Sequence, residues 1–191
     1  MSSLFFINLF LTKPKQTGAI LPSSKYLANR MVEHIDFKHS DCIVEYGPGT
    51  GIFTDLLLGY RHPLTTLVII ENDEDFYLFL KQKYKNEENL FIIHGLAEDA
   101  SYHLERLGIQ SVNYVISGLP FANLPPNKSE EIMASTLSIL EETSGTFITF
   151  QYSLCKLPLF KRFFPSIDIK KVRRNIPPAN VLICNTSATL I

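Results

Sequence analysis

Two runs of this chain, Leu67-Val68-Ile69-Ile70 and Leu90-Phe91-Ile92-Ile93, contain no polar side chain, and helical stretches follow each of them. A strand that is apolar on both faces has to be covered on both, which is the condition of a parallel sheet between helical layers. Cys42-Ile43-Val44, Val112-Asn113-Tyr114-Val115-Ile116 and Thr146-Phe147-Ile148-Thr149-Phe150 extend the same rhythm. Helices are expected over Ile52–Leu58, Asp75–Lys85, Ala97–Leu107 and Ser129–Leu140. Ahead of the first strand, Ser23 is a candidate N-cap for a helix reaching about Ile35, with Tyr26, Leu27, Met31 and Ile35 at helical spacing. The tail departs from the pattern. Ile167–Arg174 and Val181–Ala188 read as strands joined only by Asn175-Ile176-Pro177-Pro178, too short a link for a helical crossover, so they should pair antiparallel.

A chain of 191 residues of this apolar content is expected to form one domain spanning 1–191 with a core of its own. Its three cysteines, Cys42, Cys155 and Cys184, are far apart and form no C-x-x-C. That argues against a disulfide framework or a zinc site and fits a reducing cytoplasm. The net charge of −1 conceals an asymmetry: residues 1–32 carry Lys13, Lys15, Lys25 and Arg30 and no acid. Residues 151–191 carry seven cations against Asp168, while residues 33–150 hold seven basic and eighteen acidic side chains. The ends are therefore +4 and +6 about a centre of −11. Basic ends that met on one face would attract phosphate, from lipid or nucleic acid; kept apart, they are solvated surface.

The apolar run Leu4-Phe5-Phe6-Ile7-Asn8-Leu9-Phe10-Leu11 stops at Thr12-Lys13-Pro14. It is too short to span a bilayer, which takes roughly 20 apolar residues, and lacks the basic start and small-residue cleavage site of a secretory signal. It reads as a helix docked on the domain or as a segment lying in a membrane interface, and the adjacent Lys13 and Lys15 favour the second. Residues 1–36 are thus expected to be a helical segment serving as interface anchor and lid. Leu157-Pro158-Leu159-Phe160-Lys161-Arg162-Phe163-Phe164 interleaves aromatics with cations and suits either an interface or a half-buried connector with a basic edge.

The first strand ends in Glu45-Tyr46-Gly47-Pro48-Gly49-Thr50-Gly51. Glycines here let the backbone turn tightly and approach a ligand, and the helix that follows offers free N–H groups. The spacing Gly47, Gly49, Gly51 differs from the G-x-G-x-x-G of dinucleotide folds, and Glu45 stands at the strand end. S-adenosylmethionine carries no phosphate, but its methionine end brings an ammonium suited to the acid and a carboxylate suited to the N–H groups. Glu71 ends the next strand and is placed to accept both ribose hydroxyls, with Asn72 beside it; otherwise it is a solvated acid ahead of the next helix. His94 reads as structural. Many methyltransferases carry an acid directly after the glycine of the third-strand loop; Leu96 stands there, which leaves Ala97, Glu98 and Asp99 to meet the adenine. Ser117-Gly118-Leu119-Pro120-Phe121 follows the fourth strand, where cofactor and acceptor adjoin.

Leu119-Pro120-Phe121 resembles the N-L-P-Y of ribosomal RNA adenine dimethylases, in which the Asn amide holds the target amino group and the aromatic stacks on the base; Gly118 occupies the Asn position. Taken with Thr17-Gly18-Ala19-Ile20-Leu21-Pro22-Ser23-Ser24, the glycine loop, Gln151-Tyr152-Ser153 and Arg174-Asn175-Ile176-Pro177-Pro178-Ala179, the chain resembles the bacterial soluble phospholipid N-methyltransferases over nearly its whole length. The resemblance implies an α/β, three-layer, Rossmann-like class I methyltransferase fold: a seven-stranded, mostly parallel sheet with an antiparallel C-terminal hairpin. It implies S-adenosyl-L-methionine held by Gly18, Glu45, Gly47, Gly49, Gly51, Glu71, Asn72, Ala97, Glu98 and Ser117, with no metal. It also implies a cytoplasmic enzyme peripherally bound to an anionic membrane surface, methylating the amine of a phosphatidylethanolamine-type phospholipid.

Tyr152, just past the fifth strand, is the candidate for contact with the amine, by its hydroxyl or by cation–π attraction, and Asn175 for holding the headgroup. No side chain stands out as a general base. Methylation of adenine N6 in RNA is the alternative, although residues 151–191 are too few for the helical RNA-binding domain that adenine dimethylases append. A small-molecule acceptor, or a binding module without activity, also fits these residues.

Overall fold

The computed structural model describes residues 23–187. The apolar run 4–11, the lid expected over the segment's first part, and Gly18 therefore lie outside the described residues. Six α-helices and seven strands follow in order among the described residues. Helix α1 is Lys25–Val32, β1 Cys42–Tyr46, α2 Ile52–Tyr60, β2 Thr66–Glu71, α3 Glu74–Lys83, β3 Leu90–His94 and α4 Ala100–Arg106. Then come β4 Tyr114–Ser117, α5 Pro126–Leu140, β5 Thr146–Gln151, α6 Leu157–Phe163, β6 Ser166–Val172 and β7 Ala179–Asn185.

The strands form one sheet in the order β3-β2-β1-β4-β5-β7-β6. β1 pairs in parallel with β2 and β4, β2 with β3, and β4 with β5. β7 runs antiparallel to both β5 and β6, as the short link between the tail strands requires. The fold is the seven-stranded α/β sheet with an antiparallel C-terminal hairpin expected of a class I methyltransferase. The chain winds outward from β1 to β3, then returns to place β4 on β1's other side. That reversal opens a crevice beyond the carboxyl ends of β1 and β4, where ligands bind in such sheets.

Period-two alternation divides the strand residues between two cores. Ile43, Leu67, Ile69, Ile148 and Val181 face a layer made by Leu27 and Met31 of α1, Phe53 and Leu57 of α2, and Leu80 of α3. Val44, Val68, Val115, Phe147 and Leu182 face Leu104 of α4, Ile132 and Met133 of α5, and Phe160 of α6.

Several boundaries differ from the sequence expectation for local reasons. The N-cap of α1 is Ser24, whose hydroxyl accepts the Leu27 N–H at 3.2 Å, and the helix ends at Val32. β4 begins at Tyr114, because the Asn113 side chain turns to accept the N–H groups of Asp41 and Cys42 at 2.8 and 3.1 Å. α5 begins three residues earlier than expected, with Pro126 in its first turn, where its missing N–H costs nothing. The aromatic-basic stretch 157–164 holds a helix: Phe160 and Phe164 are buried, while Lys161 and Arg162 face out. Its aromatics thus belong to the core, as the connector reading had it.

Phe147 on β5 lies at the centre of that second core. Phe160 and Phe164 stack on it with centroids at 6.3 and 5.7 Å, and Phe121 meets it edge-on at 6.3 Å. Phe147→Ala should cost about 3–5 kcal/mol in urea unfolding, because the ring leaves a cavity among neighbours fixed on three elements. A loss below about 1 kcal/mol would show that the cluster does not support the sheet.

Candidate active site

The loop after β1 turns back by using left-handed backbone at all three glycines, with φ of +61° at Gly47, +57° at Gly49 and +83° at Gly51. At Gly51, which caps α2, a Cβ would fall 2.2 Å from the Tyr84 hydroxyl. At Gly49 a Cβ would meet nothing within 4 Å, so the loop is open above this residue. Glycine is thus dictated by packing at one position and by backbone sign over free space at the other, a surface that a ligand can approach closely.

Two structures hold the loop. Glu71, at the carboxyl end of β2, accepts the Gly49 N–H at 3.1 Å on Oε2 and the Asp73 N–H at 2.9 Å on Oε1. It is only 7% exposed, and burial raises its pKa against the lowering effect of those N–H groups. The end of α3 braces the other side. The Tyr84 hydroxyl lies 3.0 Å from the Gly51 carbonyl and 2.8 Å from Asp55 Oδ1, and Lys83 Nζ donates to the Thr50 carbonyl and Asp55 Oδ2. Tyr84 and Lys83 were not singled out in the sequence: their partners lie some thirty residues away, and nothing local marks them.

Glu45 lies beneath the loop, fully buried on the face covered by α1, α2 and α3. Its Oε2 accepts the Thr54 hydroxyl at 2.7 Å, whereas Oε1 is buried with no hydrogen-bond partner. Burial pushes its pKa up to about 8, partly offset by the Thr54 hydroxyl. A buried acceptor without a partner is costly, and a ligand that brought an ammonium against it would relieve the cost. The residues present therefore fit a cofactor with a cationic end and a pair of hydroxyls.

The other wall of the crevice is the loop after β4. Ser117 is buried, its hydroxyl accepting the Leu119 N–H at 3.2 Å. The Gly118 N–H donates to the Tyr46 carbonyl at 2.9 Å, and a Cβ on Gly118 would fall 2.7 Å from the Gly47 carbonyl oxygen. The two loops are thus in backbone contact where only glycine fits. Phe121 is fully buried between Phe147 and Phe160. On the third wall, Asn72 is exposed, with its carbonyl 3.1 Å from His94 Nε2, and Ala97 is buried. Leu96 is 38% exposed, an apolar surface where an acid is common. Glu98 instead accepts from Lys128 on α5 at 2.9 Å, so its charge is already paired.

Tyr152 and Asn175, 23 residues apart in sequence, lie close enough that, while burial raises the pKa of the Tyr152 hydroxyl, Asn175 lowers it. Tyr152 is half-buried and packs edge-on against Phe150 at 5.6 Å. Asn175 is 2% exposed, and both ends of its amide are hydrogen-bonded. Oδ1 accepts the Ser24 N–H at 3.0 Å, and Nδ2 donates to the Pro177 carbonyl at 2.7 Å. Asn175 thus ties the start of α1 to the β6–β7 turn and lies beside Tyr152, the more accessible of the two. Gln151, buried beside them, donates toward the Leu119 carbonyl at 3.4 Å. Among the described residues no group of three or more His, Cys, Asp or Glu side chains is placed to hold a metal ion.

A family model described as ribosomal RNA adenine dimethylase matches residues 12–156. An ornithine lipid N-methyltransferase from Singulisphaera acidiphila is 27% identical over 184 residues, covering 94% of this chain and 93% of that protein. A ribosomal RNA small subunit methyltransferase A from a Hydrogenobaculum species is 38% identical over 93 residues, covering 48% of this chain and 36% of that protein. Among solved structures, a precorrin-6y C5,15-methyltransferase from Geobacter metallireducens superposes with a TM-score of 0.69 at 13% identity, over 87% of this chain and 91% of that one.

Glu45 makes the stability of the ligand-free protein depend on pH. Its carboxyl binds a proton more tightly folded, at about 8, than unfolded, near 4.5, so folding is favoured below both values and weakens as pH rises between them. The Tm of the wild type should fall from pH 5 to pH 8.5 more steeply than that of Glu45→Gln, a difference on the order of 2–5 kcal/mol at the upper end. Parallel profiles would mean that the carboxyl does not titrate in this window.

Proposed function

The chain belongs to the ribosomal RNA adenine dimethylase family and is an S-adenosylmethionine-dependent methyltransferase, and from that premise we propose that it methylates the amine of a membrane lipid headgroup. The observation that carries this reading is the burial of Phe121. The residue at the position of the base-stacking aromatic is locked between Phe147 and Phe160, with no face free for a nucleobase. Three residues earlier, Gly118 has no amide to hold an adenine amino group, and the Gly47 carbonyl leaves no room for one to begin. A base would thus lose both its stacking partner and its hydrogen-bond partner. The likeness to an ornithine lipid N-methyltransferase along 94% of the chain supports a lipid amine, whereas the ribosomal RNA methyltransferase from the Hydrogenobaculum species matches 48% of it.

S-adenosylmethionine supplies a methyl group already activated on a sulfonium, so this chain's task is to hold an amine in line with it. The open surface over Gly49, the paired oxygens of Glu71 and the unpartnered oxygen of Glu45 serve the cofactor side. Tyr152 serves the acceptor side. Burial raises the pKa of its hydroxyl, so it stays protonated at neutral pH and orients the amine without taking its proton. The ring, packed edge-on against Phe150, attracts the cationic methylated product. The ammonium proton leaves to water. Phosphatidylethanolamine and an ornithine lipid both offer a primary amine close to an anionic group, and the site is suited to that shared chemistry.

Labelled S-adenosylmethionine offered with phosphatidylethanolamine, an ornithine lipid or ribosomal RNA should place label in one or both lipids and not in RNA. Label in RNA alone would refute the lipid reading in favour of adenine methylation, the activity of the wider family. Tyr152→Ala should lower kcat/KM about tenfold with cofactor affinity unchanged, and Tyr152→Phe, which keeps the ring, by less.

A further inference from the structure

We infer that the turn between β6 and β7, together with Tyr26 at the start of α1, is a docking surface for an anionic lipid bilayer, with Ile176 inserting at its apex. The inference rests on the lipid reading above and gives it a route of access. β6 and β5 are both antiparallel to β7 and therefore parallel to each other, so the chain leaves β6 at the sheet edge that carries the glycine loop and the Ser117–Pro120 loop. The turn is thus on the same edge as the acceptor residue Tyr152.

Its composition is unlike that of an ordinary solvated turn. Ile176 is 78% exposed and Tyr26 54%. Lys25, Arg173 and Arg174 are exposed beside them, and the Arg174 guanidinium lies 5.2 Å from the centre of the Tyr26 ring. Neither residues 171–178 nor residues 23–32 contain an acid. The start of α1, with Lys25, and the basic tail meet here, through Arg174 on Tyr26 and Asn175 on Ser24. A single exposed isoleucine is commonplace. One held outward at the tip of a turn, ringed by cations with no acid among them, matches an interface that is apolar below and anionic at its surface.

The apex is also rigid. Asn175, next to Ile176, is buried and hydrogen-bonded to both Ser24 and Pro177, so little freedom is lost when the tip is buried. Nucleic acid phosphate would satisfy the arginines, but it has no use for a bare aliphatic tip, and Arg174 lies over the nearest aromatic ring.

The test is co-sedimentation with vesicles of phosphatidylcholine alone or mixed with phosphatidylglycerol. Wild type should bind only the anionic vesicles, and Ile176→Asp and the double variant Arg173→Glu/Arg174→Glu should each bind them roughly tenfold more weakly. Both variants change exposed side chains, and unaltered S-adenosylmethionine affinity by calorimetry would show that they are folded. Ile176→Asp should still methylate detergent-dispersed lipid at the wild-type rate. Vesicle binding equal to wild type in both variants, or equal binding to neutral vesicles, overturns the inference, as does a double variant that loses retention on RNA while keeping vesicle binding. If wild type fails to methylate dispersed lipid while Ile176→Asp still releases it from vesicles, the acceptor reading falls and the docking surface stands.

Discussion

The backbone contact between the loops after β1 and β4 is the constraint on which the rest of the site depends. The Gly118 N–H reaches the Tyr46 carbonyl at 2.9 Å, and the Gly47 carbonyl occupies the space a Cβ at Gly118 would need. This contact closes the crevice at the point where the sheet changes direction. It brings the wall proposed for the cofactor against the wall proposed for the acceptor, backbone to backbone at Gly118 and Gly47. Methyl transfer requires the two ligands to come within bonding reach, and a wall one backbone thick permits it. The contact also ties the absence of an adenine-binding amide to the geometry of the cofactor loop.

Much of the fold is legible because β1, β2 and β4 at the centre of the sheet are largely apolar on both faces and are buried there; the edge strand β3, equally apolar in sequence, leaves Phe91 41% exposed. The antiparallel ending followed from four residues between two strands. Helix α6 was not legible: Pro158 in its first turn and the alternation of Phe with Lys and Arg leave no clean helical period, and its burial depends on Phe147 and Phe121 far away in sequence. β4 starts two residues later than expected, because the Asn113 amide serves Asp41 and Cys42 across the sheet, and it runs one residue further, through Ser117. The cap at Ser24 instead of Ser23 was decided by one hydroxyl reaching Leu27.

In the site, the residue types were readable and their engagements were not. Glu71 was expected at the end of its strand, and it stands there, already bound to Gly49 and Asp73. Glu45 was expected at the loop, yet its alternation with Val44 and Tyr46 turns it beneath α2, where burial favours its neutral form. Glu98 was read as able to reach the adenine and is drawn instead to Lys128. The sequence marks Asn175 as a headgroup contact, and in the structure its amide bonds to Ser24 and Pro177. In each case a partner from a distant segment decides which way a side chain points, and one sequence does not reveal such partners.

Across the sheet the labour is divided. Glu45, Glu71, Thr54 and the Tyr84 brace belong to β1, β2, α2 and α3, whereas Tyr152, Gln151 and Asn175 belong to β5 and the hairpin turn. The halves meet at the glycine contact. Substitutions on one side therefore share few partners with those on the other, and their free energies should add. Such a scaffold can exchange one acceptor for another while its donor half stays unchanged. A single family can then contain enzymes for nucleobases and for lipids without having rebuilt the machinery that holds the methyl group.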